Sequence, residues 1–312
     1  MLELESSPTS LMNGIHALSK SLDIHPGSTF DAATSLWLQG NLTISPDFQR
    51  VAQQSYGARL EVFETATDNT AAISGINSWA DSHSHHLITQ AIAADSIGKQ
   101  PQLIAVSLAY FLTNWRGSFK RSRTMPRSFY SASGAELDVP TMLQKAVFKY
   151  SRTPLGRSIL LPCADKDLSV LIVVPEDQKW FSRPLPRDFL EACTRDMNYA
   201  MVDLELPKFD LQLGLNWAPL LRQFGLSNSL IQGALFHGIV EESPLKWSAV
   251  AQQVRVRIDE DGTEVTTPKN SGLSTMNDER PAIDLRVNRP FLFVLRSKRA
   301  DAILFWGRVG SF

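Results

Sequence analysis

Three histidines crowd one segment, His83, His85 and His86 in Ala80-Asp81-Ser82-His83-Ser84-His85-His86. Neutral imidazole is a common ligand of zinc and similar ions, so this is the first place to look for a metal. On a helix, however, these spacings spread the rings over different faces, and no cysteine lies nearby. The segment reads as a solvated helix end, and no metal is expected. Cys163 and Cys193 could form one bridge but need not, and neither sits in a pattern that marks a nucleophile. The sequence has no G-x-S-x-G, H-E-x-x-H, G-x-x-x-x-G-K-[ST] or G-x-G-x-x-G. Asn41-Leu42-Thr43 is a formal glycosylation sequon, meaningful only in a secreted chain. No constellation supports enzyme chemistry, so the reading is of a protein that is not an enzyme and uses no cofactor.

The unusual feature is a stretch without obvious elements. Residues 259–286, DEDGTEVTTPKNSGLSTMNDERPAIDLR, are polar and poor in core residues. A loop of that length inside a compact domain is usually functional or disordered. It lies between two apolar or alternating runs. Val254, Val256 and Ile258 alternate with arginines before it, and Phe291-Leu292-Phe293-Val294-Leu295 follows it, so both flanks read as strands. Residues 103–112 (LIAVSLAYFL) and 169–174 (SVLIVV) read as strands covered on both faces, and 202–209 (VDLELPKF) as a half-exposed one. Residues 10–22 carry a helical stripe of Leu11, Ile15, Leu18 and Leu22. Residues 71–94 read as one or two helices, with Ile73, Ile76, Ala80, Leu87, Ile88 and Ile92 on the buried side. Helices in the first third and around 186–225, with strands throughout, predict an α+β fold with large sheets.

Composition narrows the partners. Lys plus Arg is 31 against 32 for Asp plus Glu, a net charge of -1, so there is no bulk electrostatic case for nucleic acid or an anionic membrane. Seven Trp and sixteen Phe in 312 residues argue for a packed core. No apolar run is long enough to span a bilayer. The first residues, Met1-Leu2-Glu3-Leu4-Glu5, lack the basic start and apolar stretch of a secretory leader.

The order of short motifs from Thr34 onward resembles the serpin family. Thr34-Ser35-Leu36-Trp37-Leu38-Gln39 looks like an early central-sheet strand, and Tyr56-Gly57-Ala58 with Val62-Phe63 like the next connection. Ile76-Asn77-Ser78-Trp79-Ala80 resembles the helix that crosses the front of the main sheet. Trp115 and Phe119 make a Trp-x-x-x-Phe, and Val139-Pro140-Thr141-Met142 and Leu204-Glu205-Leu206-Pro207-Lys208-Phe209 follow in family order. Ile258-Asp259-Glu260-Asp261-Gly262-Thr263-Glu264 is similar to the hinge of the reactive loop. Asn288-Arg289-Pro290-Phe291 and Ile303-Leu304-Phe305-Trp306-Gly307-Arg308-Val309 close the chain.

The resemblance implies a single serpin-like α+β domain over residues 1–312, with a large central sheet, further sheets, surrounding helices and an exposed reactive loop at 259–286. It implies a monomeric suicide-substrate inhibitor of a serine endopeptidase, in an extracellular setting. The protease cleaves the loop, and the loop inserts into the central sheet and traps the acyl-enzyme. The implied hinge is Glu260, Gly262, Thr263, Glu264, Val265, Thr266, Thr267 and Pro268. Counting forward by the family's loop length puts the scissile bond first at Met276–Asn277, and counting back from Pro290 puts it nearer Glu279–Arg280. The sheet-opening region falls on Ser107, Trp115 and Gln252, where Ser107 and Gln252 stand in place of the family's Asn and His.

Two departures qualify this. Only residues 1–33 precede the match, so the resemblance implies either a truncated sequence or a reduced variant lacking the family's first helices. Inhibitory members carry small residues after Gly-Thr-Glu, whereas this chain has Val265-Thr266-Thr267-Pro268-Lys269. Proline cannot donate to a ladder on either side of a central strand. The alternative reading is therefore a non-inhibitory member of the fold, cleaved as a plain substrate or used as a binding or carrier module.

Overall fold

The computed structural model describes residues 14, 17, 30–40, 42–64, 69–93, 96–98, 101–181, 188–221, 223, 238–240, 245, 247–261 and 281–312. In chain order the elements are β1 (Phe30–Gln39), α1 (Pro46–Tyr56), β2 (Arg59–Phe63), α2 (Thr70–His83), β3 (Leu103–Leu112), β4 (Met125–Tyr130), β5 (Glu136–Thr153), β6 (Gly156–Pro162), β7 (Leu168–Pro175), α3 (Phe189–Thr194), β8 (Asn198–Pro207), β9 (Phe209–Asn216), α4 (Trp217–Leu221), β10 (Trp247–Ile258), β11 (Ile283–Arg286), β12 (Phe291–Ser297) and β13 (Ala302–Val309). Two compact units divide the chain, one formed by Met1–Leu112 and Leu211–Val256, the other by Thr113–Asp210 and Arg257–Phe312. The helix expected over residues 10–22 lies outside the described residues.

In the first unit the strands form a five-stranded sheet in the order β2-β1-β3-β10-β9. Strand β1 runs antiparallel to β3, with Trp37 opposite Ile104 and Thr34 opposite Ser107. Because side chains alternate, Trp37, Ile104, Val106 and Leu108 share one face. There they pack on Ala72, Ile76, Trp79 and Ala80 of α2. Leu38 and Leu103 turn to the other face and meet Val240 and Leu245. Helix α1 starts with a proline in its first turn and ends at Gly57, whose φ of 60° lets its N–H close on the Gln53 carbonyl.

Helix α2 stops at His83, sooner than its periodicity suggested. His85 and His86 take φ values of 51° and 63°, in the left-handed region. The Ser84 carbonyl accepts the Leu87 N–H at 3.0 Å across them, so they form the centre of a tight turn. The chain then continues over residues 87–93 as a strap of bends that is neither helix nor strand. Leu87, Ile88 and Ile92 are buried or half-buried as expected, but from this strap. Asn77 fixes it by accepting the Ala91 and Ile92 N–H groups at 2.8 and 3.0 Å. The three imidazoles diverge. His83 Nδ1 lies 2.9 Å from the Trp79 carbonyl oxygen and His86 Nδ1 2.8 Å from Asp81 Oδ2, while the His85 ring lies edge-on to Tyr110.

The second unit is an eight-stranded sheet in the order β11-β8-β5-β6-β7-β12-β13, with β4 paired to β5. Strand β7 is buried throughout except Ser169, which fits its unbroken Val, Ile and Leu run. Leu171, Val173, Leu292 and Val294 of β7 and β12 meet Phe189 and Cys193 of the short helix α3. Phe209, Phe291, Phe293, Phe129 and Phe312 form a linked aromatic group. Cys163 and Cys193 are both free and buried. Burial pushes their thiols up to about 12 and about 11, so neither is a thiolate near neutral pH. The polar stretch expected to run as loop from 259 to 286 is shorter at its C-terminal end, because Ile283–Arg286 pairs in parallel with β8 and buries Leu285.

Strand β6 opens at a point where only glycine fits. A Cβ on Gly156 would come within 2.6 Å of the Val174 carbonyl oxygen on β7. Gly156→Ala is expected to destabilise the protein by about 1–3 kcal/mol. The check is a lower denaturation midpoint with unchanged slope.

Candidate functional site

The site is built where β10 ends. Beyond Ile258 the chain leaves the sheet, and Asp259, Glu260 and Asp261 must find partners for their backbone groups outside a regular ladder. They find them on residues 113–119, which follow β3. The Trp115 N–H donates to the Asp261 carbonyl at 3.0 Å, and the Phe119 N–H to the Glu260 carbonyl at 3.2 Å. The Trp115 indole Nε1 donates to the Asp259 carbonyl at 2.7 Å. Trp115 is only 2% exposed and its ring packs edge-on against Phe119, so the donor is held rigidly. On its other side the same segment is tied to the end of β6, by Arg116 N–H to the Pro162 carbonyl at 3.0 Å and Ala164 N–H to the Asn114 carbonyl at 2.7 Å.

Three acidic side chains complete the clamp, each with its own partners. The buried Asp259 carboxylate accepts from Arg257 Nε at 2.6 Å, from the Thr113 hydroxyl at 3.0 Å and from the Asp261 N–H at 3.0 Å. Thr113 Oγ1 in turn accepts the Asp259 N–H at 2.9 Å. The Glu260 carboxylate accepts from the Thr124 hydroxyl at 2.7 Å and from Lys208 Nζ at 3.0 Å. Asp261 pairs with Arg121 at the surface. Burial alone pushes the Glu260 carboxyl up, but the bonds from Thr124 and Lys208 outweigh it and hold the group below the ordinary glutamate value. Apart from the Glu260 N–H, the backbone donors and acceptors of residues 259–261 find these partners outside a strand ladder, so the arrangement holds a chain at the moment it leaves a sheet.

Of the residues expected from sequence, Trp115 and Glu260 meet here. Gly262, Thr263, Glu264, Val265, Thr266, Thr267, Pro268, Met276, Asn277, Glu279 and Arg280 lie outside the described residues. Ser107 and Gln252 sit on adjacent strands β3 and β10 of the first unit. Val106 and Leu108 pack with α2, and Gln253 and Arg255 bond to the Ala91 and Leu87 carbonyls of the strap. Ser107 and Gln252 therefore both point to the opposite face. No hydrogen bond joins them among the described residues. Gln252 Oε1 instead accepts from Trp217 Nε1 at 3.0 Å. Thr113, Thr124, Lys208 and the side chain of Asp259 are site members that sequence reasoning missed. Lys208 carried a visible signal, a cation directly after two buried residues in Leu206-Pro207-Lys208. That its partner is Glu260, 52 residues away, had no sequence signal.

Two measurements test the clamp. Trp115→Ala removes a buried ring and is expected to cost about 3–5 kcal/mol. Trp115→Phe keeps most of the ring but leaves the Asp259 carbonyl only the long 3.4 Å bond from the Thr113 hydroxyl, at about 1–3 kcal/mol. Chemical denaturation of both variants gives the comparison. Since the Glu260 pKa is lowered in the folded protein, its contribution is present above the unfolded-state value and is lost as pH falls through the folded one. Glu260→Gln should therefore destabilise the protein by about 1–2 kcal/mol at pH 7, a figure moderated by the partial exposure of Lys208. The gap from wild type should close well below about pH 4. Melting temperatures across that range read it directly.

A family model described as Serpin (serine protease inhibitor) matches residues 1–311. The chain is 24% identical over 287 residues to antithrombin-III of Homo sapiens, covering 90% of this chain and 62% of that protein. It is 26% identical over 283 residues to a serpin-like protein of Methanosarcina mazei, covering 89% of this chain and 66% of the relative. The chain thus spans somewhat under two thirds of the length of these relatives. In three dimensions it is similar to the crystal structure of Manduca sexta serpin-12, with a TM-score of 0.83 at 22% identity over 99% of this chain and 84% of that one. The match runs through both units and both sheets, and the chain belongs to the serpin family.

Proposed function

We propose that this protein is a suicide-substrate inhibitor of a serine endopeptidase, acting as a single monomeric domain. Its reactive loop starts at Asp259 and leaves through the clamp at Asp259–Glu260–Asp261, with a hinge at Glu260 and Gly262–Pro268 and a bait bond at Met276–Asn277, or alternatively Glu279–Arg280. The observation that carries this reading is the order of the five-stranded sheet. Strand β10, which runs into the loop, lies beside β3. The Gln102 N–H bonds to Ser248 Oγ at 2.8 Å near the start of the pair, and the Thr113 N–H to the Arg257 carbonyl at 3.0 Å at its end, so the two strands run in the same direction. A cleaved loop folding back from β10 would run antiparallel to both. It would replace one parallel pairing by two antiparallel ones, which are the more stable per residue. Insertion drags the acyl-enzyme along before it can hydrolyse, and no catalytic group of this chain is required.

Pro268 sets the efficiency. Inhibition is a race between insertion and hydrolysis of the acyl-enzyme. A proline in a strand paired on both sides withholds one ladder donor. Lys269 adds the cost of desolvating an amine unless it reaches water. The same two residues favour the second reading, a serpin-fold protein that is cleaved without trapping.

The test is incubation with elastase-, chymotrypsin- and trypsin-type proteases, read on a denaturing gel and by mass spectrometry. Wild type should yield a minor covalent complex and a major cleaved product, with the first cut between Leu273 and Arg280. The double change Pro268→Ala, Lys269→Thr should raise the complex fraction and the heat resistance of the cleaved form. If neither protein gives a complex with any of these proteases and cleavage adds no heat resistance, the inhibitor reading fails and the substrate reading replaces it.

A further inference from the structure

A sheet ends in edge strands whose outward N–H and C=O groups have no ladder, and proteins blunt such edges with charges, proline, short strands or cover. Most edges of this protein follow that rule. Strand β2 carries Arg59 and Glu61, β4 carries Pro126 and Arg127, and β11 is four residues long with Asp284 and Arg286. Strand β9 alternates Leu with Gln212, Gly214 and Asn216. Strand β13 differs. It ends the eight-stranded sheet, and its run Ala302-Ile303-Leu304-Phe305-Trp306-Gly307 has neither a charge nor a polar side chain. Among the described residues, no backbone group of that run bonds to anything but β12. We propose that β13 is a docking edge for an extended, uncharged segment of another protein, added as an antiparallel strand that ends in a basic residue.

The ladder with β12 decides which side chains the added strand meets. Trp306 lies opposite Val294 and Ile303 opposite Arg296, with the register shifting between Leu295 and Arg296. That bulge puts Ile303 and Trp306 on one face of the sheet although they are three residues apart. They are 49% and 54% exposed and make an apolar shelf along the edge. Just before the strand, the Asp301 side chain is 93% exposed, and its one ion pair among the described residues is a long 3.8 Å contact with Arg296.

Each feature selects one property of the partner. The open row of backbone groups calls for an extended chain, since only a strand answers donors and acceptors in that order. The charge-free run calls for neutral β-branched or aromatic side chains beside Ile303 and Trp306. Antiparallel pairing is the more stable per residue, and it brings the partner's C-terminal end beside Asp301, where a cation fits. The edge uses no residue of the clamp and does not depend on whether the chain inhibits a protease.

The probe is the end-blocked hexapeptide Thr-Val-Thr-Ile-Thr-Lys, which sets Val and Ile beside Trp306 and Ile303 and Lys beside Asp301. Calorimetric titration into the whole chain should show saturable one-to-one binding. The Trp306 indole N–H signal should shift, and exchange of the outward β13 amides should slow severalfold. A strand added at an edge uses only one of its own two edges. Of two peptide forms N-methylated on alternate amides, one form for each edge, one should therefore bind like the parent and the other not at all. Trp306→Lys, at an exposed position, should weaken binding roughly tenfold or more. Asp301→Asn should weaken it roughly threefold, as an exposed charge pair allows. Should Trp306→Lys fail to fold, the shift map and the two methylated forms decide. Absence of saturable binding, loss of binding in both methylated forms or in neither, signals moving on β3 and β10 instead of β13, or a dimer of the chain alone that Trp306→Lys dissolves would each overturn the assignment.

Discussion

Every backbone group that leaves a buried sheet needs a new partner, and in this protein that need is concentrated at Asp259, Glu260 and Asp261. Strand β10 ends at Ile258, which is fully buried, and the next three residues are still largely out of solvent at their first two positions. An unpaired buried carbonyl there would be costly, and so would an unpaired carboxylate. The structure meets both demands with one rigid object, the segment 113–119. Its backbone N–H groups and the Trp115 indole take the carbonyls, and Thr113 takes the Asp259 side chain. Much of the local sequence follows from this. A tryptophan is needed because a large apolar ring must also present a donor, and a threonine because one hydroxyl must both give and accept.

The charges at the clamp are unequal in consequence. Arg121 and Asp261 pair at the surface, where solvent screens them. Glu260 is buried against a half-exposed lysine and a threonine, and Asp259 is buried with three donors. The two inner carboxylates therefore tie the departing chain to Arg257, Thr113, Thr124 and Lys208, while the outer one trims its exit. The clamp thus has a firm inner part and a weak outer part.

The first unit shows the complementary constraint. Its sheet carries α2 and the strap on one face, with Asn77, Gln253 and Arg255 bonding to the strap's backbone. Those bonds hold an irregular segment that has no ladder of its own. Ser107 and Gln252 lie on the other face and are not bonded to each other. A strand entering between β3 and β10 would meet the strap on one side and these two polar side chains on the other.

The sequence by itself determined the elements whose patterns are strong and local. The Val/Ile/Leu run of β7, the alternation of β8 and the aromatic run of β12 are legible because burial on one or both faces leaves a periodic trace. The motif order was sufficient for the family. Local pattern misjudged the end of α2, since the apolar spacing of Leu87, Ile88 and Ile92 is equally compatible with a strap, and the left-handed turn at His85 and His86 has no glycine to announce it. It also hid β11, where one buried residue, Leu285, is too little periodicity to read. Only the tertiary structure decided the clamp. Lys208 with Glu260 and Thr113 with Asp259 are separated by 52 and 146 residues, and their identity as partners depends on how two strands and a loop come together. Each of those residues alone reads as an ordinary polar side chain. A hydrogen bond between distant residues leaves no periodic signal in either segment, whereas a buried face repeats itself along every strand that forms it.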